Sequence, residues 1–185
     1  MSSRIDALAE IGGATFSEDG RYRYTLGRRF DGGRYMRPRT VFFIMLNPST
    51  ADQNVGDPSV RRCMKYAYDW GYDKMVVLNL FALRSTDPKE LYRADDPIGP
   101  ENDAHIKFAI QGDKDHHVSF GQVYRLPPRV ICAWGNHGLY QDRWQRVRDL
   151  IVGIGCEPYA LKITGAGQPA HPLYLPANLE PQPWR

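Results

Sequence analysis

Cysteine is scarce in this 185-residue chain, and Cys63, Cys132 and Cys156 stand at no paired spacing. An odd, scattered set argues against a disulfide framework and fits a reducing compartment, so a cytoplasmic protein is expected. No apolar stretch approaches the roughly 20 residues of a bilayer-crossing helix. The longest, Val41–Leu46, has the length of a buried strand. The opening MSSRIDALAE contains no apolar signal core, so neither a secretory leader nor a membrane partner is expected. Charge of one sign is also missing, because 24 Lys and Arg face 21 Asp and Glu for a net +3. That balance permits a nucleic-acid partner without demanding one. Several catalytic signatures are absent. No GxxxxGKS or GxxxxGKT occurs, which excludes a P-loop, and no GxGxxG follows a strand. No GxSxG elbow is present. No cysteine pair or HExxH builds a zinc site, so neither metal nor cofactor is expected. His116-His117 sits in a charged stretch and reads as a solvated pair.

What is present reads as an α/β domain. Tyr22, Tyr24 and Leu26 alternate with Arg21, Arg23 and Thr25, the period of a half-buried strand. DGG at 31–33 is a turn signal that suggests a hairpin into Val41. VFFIML (41–46) and MVVLNL (75–80) are continuously apolar, as strands buried on both faces are. Between them Asp57-Pro58 opens a helix, with Asp as cap and Pro at the first turn. Val60, Cys63, Met64 and Ala67 share one face of it, and Gly71 stops it. A long loop from Phe81 to Pro100 holds one helical turn near Lys89–Tyr92. A helix is expected over 101–110, then a connecting excursion over 112–128. RVICAW (129–134) predicts a third buried strand, Leu139–Val152 a helix, and Glu157–Ile163 a fourth strand. A single domain over 1–185 follows, with residues 1–20 flexible or a short helix and 177–185 a proline-rich tail. The expected fold is a three-layer α/β/α sandwich. Its central sheet has four mostly parallel strands, plus an N-terminal antiparallel strand or hairpin.

Polar chemistry collects just after these strands. Asn47-Pro48-Ser49-Thr50 follows the first, Asn79 ends the second, Trp134-Gly135-Asn136-His137 follows the third and His171 follows the fourth. Parallel strands bring such groups to one rim, where ligands bind in open α/β sheets. Bland roles compete. Asn47 before Pro makes a turn, Asn79 is a satisfied buried amide, His137 is a surface residue, and Asp57 is a helix cap. Arg21, Arg23, Arg28, Arg29, Arg34, Arg37 and Arg39 interleave with Tyr22, Tyr24, Phe30 and Tyr35. Such a run fits a phosphate backbone with stacked bases, and it equally fits a strand edge with Arg in water.

Six motifs in order resemble the domain-of-unknown-function family 1643, a bacterial and phage family. They are MLNPSTAD (45–52), DPSVRRC (57–63), VVLNLFALRSTDP (76–88), DP-GPEND (96–103), AWG (133–135) and GQPAHPLYLP (167–176). The resemblance runs from the Tyr22 strand to Trp184 and supplies no activity. More distantly, the layout resembles the uracil-DNA glycosylase superfamily. Leu46-Asn47-Pro48 is similar to its water-positioning loop, Val77-Leu78-Asn79 to its base-reading strand end, Ile131–Gly135 to its Trp-Gly strand end, and His171-Pro172 to its final motif. Asn47 stands where the most active variants carry Asp, and Leu-Tyr-Leu (173–175) replaces a Ser-rich loop.

The resemblance implies a flipped nucleobase held in a rim pocket. Asn47 would orient water and His171 would stabilise the departing base. Asn79 would read the base edge, with Phe81 or Trp134 stacked on its face. Ser49, Thr50, Arg61, Arg62 and Arg84 would meet phosphates, and Asp52 or Asp57 would assist the water. Leu173 or Tyr174 would be the wedge. The expected partner is DNA, a nucleobase or a nucleotide, and the expected reaction is hydrolysis of an N-glycosidic bond. The alternatives are a non-catalytic nucleotide or nucleic-acid binding module and an adaptor with its rim closed by side chains.

Overall fold

Two runs without a polar face govern the architecture, because both must be covered on two sides. In the computed structural model they are the middle of one sheet. The structure describes residues 12–30, 38–50, 57–118 and 128–185, with backbone alone for 114–118. Among these residues the strands are β1 (Ala14–Phe16), β2 (Arg23–Arg29), β3 (Thr40–Met45), β4 (Lys74–Asn79), β5 (Arg129–Cys132), β6 (Pro158–Ala160) and β7 (Gln182–Pro183). The α-helices are α1 (Pro58–Asp69), α2 (Asn102–Val118) and α3 (Arg143–Gly153).

The seven strands are ordered β1-β2-β4-β3-β5-β6-β7. β3 pairs in parallel with β4 and β5, and β5 with β6. β1 and β2 add antiparallel at one edge, and β7 adds antiparallel at the other. Alternation along the central strands splits the core in two. Phe42, Ile44, Leu78 and Val130 pack with Ile106 and Ile110 of α2 and with Val147 and Ile151 of α3. Val41, Phe43, Met75, Val77 and Ile131 pack with Val60, Cys63, Met64 and Ala67 of α1. Each such side chain stabilises the fold by roughly 1.5–3 kcal/mol when fully buried.

The α1 start follows its sequence signals. The Asp57 carboxylate accepts from the Ser59 and Val60 amides at 2.8 and 3.3 Å, with Pro58 in the first turn. Gly71, at φ +74°, turns the chain after the helix.

Several expectations change. The sheet has seven strands rather than four and an N-terminal addition. β2 does not form a hairpin with β3. Both edges of β3 are filled by β4 and β5, so β2 takes the outer edge of β4. The DGG turn lies outside the described residues, as do residues 1–11, 51–56 and 119–127. Within 1–20, Ala14–Phe16 is strand. The helix expected to end at 110 runs on through Gly112 to Val118. The Thr40 hydroxyl donates to Asp113 at 2.6 Å and ties this extension to β3. The helix expected from Leu139 begins as a 3-10 segment, Asn136–Asp142, and becomes α-helical only at Arg143. Gln141 and Asp142 have φ of 54° and 50°, which interrupts the helical path. The proline-rich tail is anchored by Trp184. Its amide donates to Pro158 at 2.8 Å, and its ring packs on Trp134 and Trp144. Among the described residues no helix is long and apolar enough to cross a membrane.

Gly138 is required by close approach. A Cβ there would overlap the Trp134 ring, which is held by a 2.8 Å hydrogen bond from its Nε1 to Gln168. Gly138→Ala is expected to cost about 1–3 kcal/mol, read as a lowered midpoint in thermal unfolding.

Candidate functional site

The parallel strands end on one side, and their last bonds knit the rim. Leu80 and Phe81 donate to the carbonyls of Met45 and Leu46, both at 2.9 Å. Ala133 donates to Ile44 at 2.8 Å, and Gly135 donates to Pro169 at 2.8 Å. Gly135 has φ +73°, which lets the loop turn beside His171.

Asn47 is held by its amino group. Nδ2 donates to the carbonyls of Ser85 at 2.9 Å and Pro48 at 3.2 Å. With both donors on carbonyls, Oδ1 is the group left to accept from a ligand or a water. Ser49 donates to Asp57 at 2.8 Å. Burial raises the Asp57 carboxyl, but the hydrogen bonds from Ser49, Ser59 and Val60 outweigh it and hold the group below its ordinary value. Asp57 therefore caps α1 and fixes Ser49 at once. Thr50 is exposed. Asp52 lies outside the described residues.

His171 caps the short helix Pro172–Tyr174. Its Nδ1 accepts from the Leu173 amide at 3.3 Å, which places the neutral ring's proton on Nε2. Burial pushes its pKa below the ordinary 6.5, while the Asp57 charge pulls it back up. The imidazole is thus set up as a neutral donor. The folded chain sheds a proton that the unfolded chain still holds just below pH 6.5. This contribution to stability is full above the ordinary value and is lost as pH falls through the folded value. A ring-proton NMR titration of His171 is expected to give a midpoint below 6.5, with unfolding free energy declining over the same window.

Asn79 is 2% exposed at the end of β4. Its Nδ2 is buried with no hydrogen-bond partner, and no hydrogen bond reaches its Oδ1 among the described residues. A buried amide left unpaired costs about 1–3 kcal/mol. The backbone beneath it is clamped. Asn102, fully buried at the start of α2, donates Nδ2 to the carbonyls of Asn79 and Leu80, both at 3.0 Å. Arg143 Nε donates to the Leu80 carbonyl at 2.8 Å, and its Nη2 pairs with Asp103. The main-chain carbonyls of Asn79 and Leu80 are thus hydrogen bonded while the side-chain Nδ2 of Asn79 has no partner.

The aromatic candidates are placed differently. Phe81 is fully buried and packs on Tyr140, with ring centroids 5.8 Å apart. Trp134 is 1% exposed, its N–H is taken by Gln168, and Trp184 meets its ring edge-on at 5.4 Å. Tyr174 is the open ring, 84% exposed and 6.0 Å from the His171 ring.

The basic candidates also separate. Arg61 is exposed on the first turns of α1. Arg62 donates to the Leu175 carbonyl and lies 5.4 Å over the Tyr66 ring, so it braces the segment after His171 against α1. Arg84 donates to Gly20 at 2.9 Å and lies 5.2 Å over Phe16, which ties down the β1–β2 turn.

Asn102 and Arg143 are not singled out by the sequence. Asn102 lies in the GPEND motif, which was the available signal. Arg143 has none. The reading of the arginine run as a strand edge with Arg in water does not hold for Arg23, which is 5% exposed, between buried Tyr22 and Tyr24. Burial lowers its pKa to about 10, against the pull of Asp57. His137 is on the surface and hydrogen bonded to Tyr92 at 2.6 Å. Among the described residues no group of three or more His, Cys, Asp or Glu forms a metal cluster.

No curated protein and no solved structure matches the chain. A family model described as "Protein of unknown function (DUF1643)" matches residues 23–173. That span takes in Arg23, the Asn47 loop, Asn79 with its Asn102 clamp, and His171. The chain belongs to the DUF1643 family.

Proposed function

We propose that this rim is a nucleobase pocket and that the chain hydrolyses an N-glycosidic bond, slowly, as a DNA glycosylase does. The observation that carries the proposal is Asn79. Its amide offers a donor, the buried unpartnered Nδ2, and an acceptor, Oδ1, that no hydrogen bond reaches among the described residues, on a backbone clamped by Asn102 and Arg143. That is the complement of a base edge or another amide-like ligand.

The chemistry follows from the neighbours. Asn47 Oδ1 accepts a hydrogen bond from water and orients its oxygen toward C1′. The C1′–N bond breaks, and its electron pair goes to the base. The neutral His171 Nε2–H donates to the base oxygen as that charge develops. The water oxygen bonds C1′ and its proton passes to solvent. An amide is no general base, and Asp57 is committed to Ser49 and the α1 cap, so the rate is low unless Asp52, outside the described residues, assists the water. Phe81 is packed on Tyr140 in the core behind the strand end, and Tyr174 is the exposed ring for stacking or wedging. Trp134 supports the strand end from the core. Ser49, Thr50 and Arg61 line the phosphate side, while Arg62 and Arg84 brace it.

Among the described residues no uncommitted carboxylate stands beside Asn47 as a general base, which favours a second reading, a pocket that binds a nucleotide without cleaving it. A glycosylase assay separates the two. Oligonucleotides carrying uracil, hypoxanthine, mismatched thymine or phage-type modified pyrimidines are incubated and then cleaved by alkali at abasic sites. Cleavage by the wild type is expected, reduced at least about a hundredfold in His171→Ala and Asn47→Ala. Binding with no cleavage of any substrate supports the second reading. Neither binding nor cleavage overturns both.

A further inference from the structure

Arg23 carries an unspent charge beside this rim. The residue is 5% exposed, and its Nε is buried without a hydrogen-bond partner. Among the described residues no hydrogen bond or ion pair reaches its guanidinium. A buried cation without a counter-ion is costly, and proteins pair or relocate such charges. Here the backbone prevents relocation. The Arg23 amide donates to Ala82 at 2.9 Å, three residues beyond Asn79. Arg84 and Ser85 continue the same connection, donating to Arg21 at 3.0 Å and to Pro48 at 2.9 Å. Arg23 is therefore fixed between the strand end that carries Asn79 and the loop that carries Asn47. Its electrostatic surroundings add positive charge. Arg84 and Arg28 both act against its proton, and Asp57 is the acid that acts for it. The Nε of Arg84 is also buried without a partner.

We propose that Arg23 is the anion receptor of the rim and that it holds a phosphate oxyanion of the ligand whose base Asn79 reads. A guanidinium offers five N–H donors in a planar fork, which matches phosphate geometry. The anion site stands on Arg23 alone, and its assignment to a nucleotide rests on the nucleobase pocket proposed above. The phosphate is either the 5′-monophosphate of a free nucleotide or a diester of a nucleic-acid strand.

Thermal unfolding in inorganic phosphate, against chloride of equal ionic strength, tests the anion site. Phosphate is expected to raise the wild-type midpoint by several degrees and to leave Arg23→Met unmoved. In chloride, Arg23→Met is expected to unfold at or above the wild-type temperature, because it removes an unpaired buried charge. Equal phosphate shifts in both proteins overturn the proposal, and so does a lower midpoint for Arg23→Met in chloride.

Calorimetry with the common deoxynucleosides, their 5′-monophosphates and a mixed-sequence single-stranded dodecamer identifies the source. A phosphorylated ligand is expected to lose about tenfold to a hundredfold in affinity in Arg23→Met, while the nucleoside is unaffected. Loss for the monophosphate assigns a free nucleotide, and loss for the dodecamer alone assigns a strand. A loss equal for nucleoside and monophosphate overturns the phosphate role. Asn79→Leu in parallel keeps the two proposals apart. If it retains the phosphate shift but discriminates among bases like the wild type, the nucleobase pocket fails and the anion site stands.

Discussion

Asn79→Leu is expected to make the protein more stable and to remove its ability to choose among nucleobases. A buried residue usually loses stability on substitution, so the combination is diagnostic. Among the described residues the amide has no partner to lose, and its unpaired Nδ2 is a standing cost. Replacing it with an apolar side chain of similar size relieves about 1–3 kcal/mol. For a chain of this length that raises the unfolding midpoint by roughly 2–4 °C per kcal/mol. A pocket built to hydrogen bond its ligand discriminates strongly, so the affinity for the preferred base is expected to fall at least about a hundredfold. Asn79→Asp exchanges the donor for a second acceptor and shifts preference toward bases that present a donor there. A fall in stability for Asn79→Leu with unchanged ligand binding would make Asn79 a structural residue.

Asp103→Ala is expected to show the largest loss of stability. Arg143 is 2% exposed, and its charge is met by Asp103. Asp103 also holds Arg146 at 2.8 Å, but that Arg is at the surface. Removing Asp103 leaves a buried guanidinium without a counter-ion, which costs about 3–5 kcal/mol. The midpoint in urea should fall with an unchanged slope. Arg143 also donates to the Leu80 carbonyl, so the Asn79 strand end loosens with it. Arg146→Ala is the control and should change stability by less than about 1 kcal/mol, as exposed pairs do. The Asp103 pairing also shapes acid stability. Burial raises its carboxyl, but Arg143 and Arg146 outweigh that and hold it below its ordinary 3.8. Its contribution is present above that value and is lost as pH falls through the folded one.

The fold was legible where one pattern ruled a segment. Val41–Leu46 and Met75–Leu80 read as two-sided strands, and Asp57-Pro58 reads as the opening of a helix. The parallel connection between them followed from those three elements. What the sequence concealed depends on partners far along the chain. β2 joins β4 because β3 has no free edge, which no local signal reports. The stretch from Gly112 reads as a connecting excursion, yet α2 continues to Val118, with Asp113 accepting from the Thr40 hydroxyl. The tail reads as proline-rich, yet Trp184 finds Trp134 and Trp144.

The candidate site was legible in the same uneven way. Asn47, Asn79 and His171 are visible in the sequence as polar residues at strand ends; in the structure Asn79 ends β4, Asn47 follows β3 and His171 caps the short helix Pro172–Tyr174. The roles of the aromatics were not visible. An apolar strand end reads alike whether its Trp faces a ligand or, like Trp134, spends its N–H on a core Gln. The arginines posed the opposite difficulty. Alternation with Tyr22 and Tyr24 implied that Arg23 faces water. Both sides of that segment are buried, and burial of a charge leaves no mark in periodicity.

The most direct measurement follows the Asn79 side-chain amide by nitrogen-15 NMR while uracil, thymine, cytosine, hypoxanthine, adenine and guanine are added, as free bases and as 5′-monophosphates. The expected result is that one base moves and protects the Asn79 NH2 pair, with the His171 ring signals shifting at the same concentration. An NH2 pair that no base or nucleotide moves would contradict the nucleobase pocket.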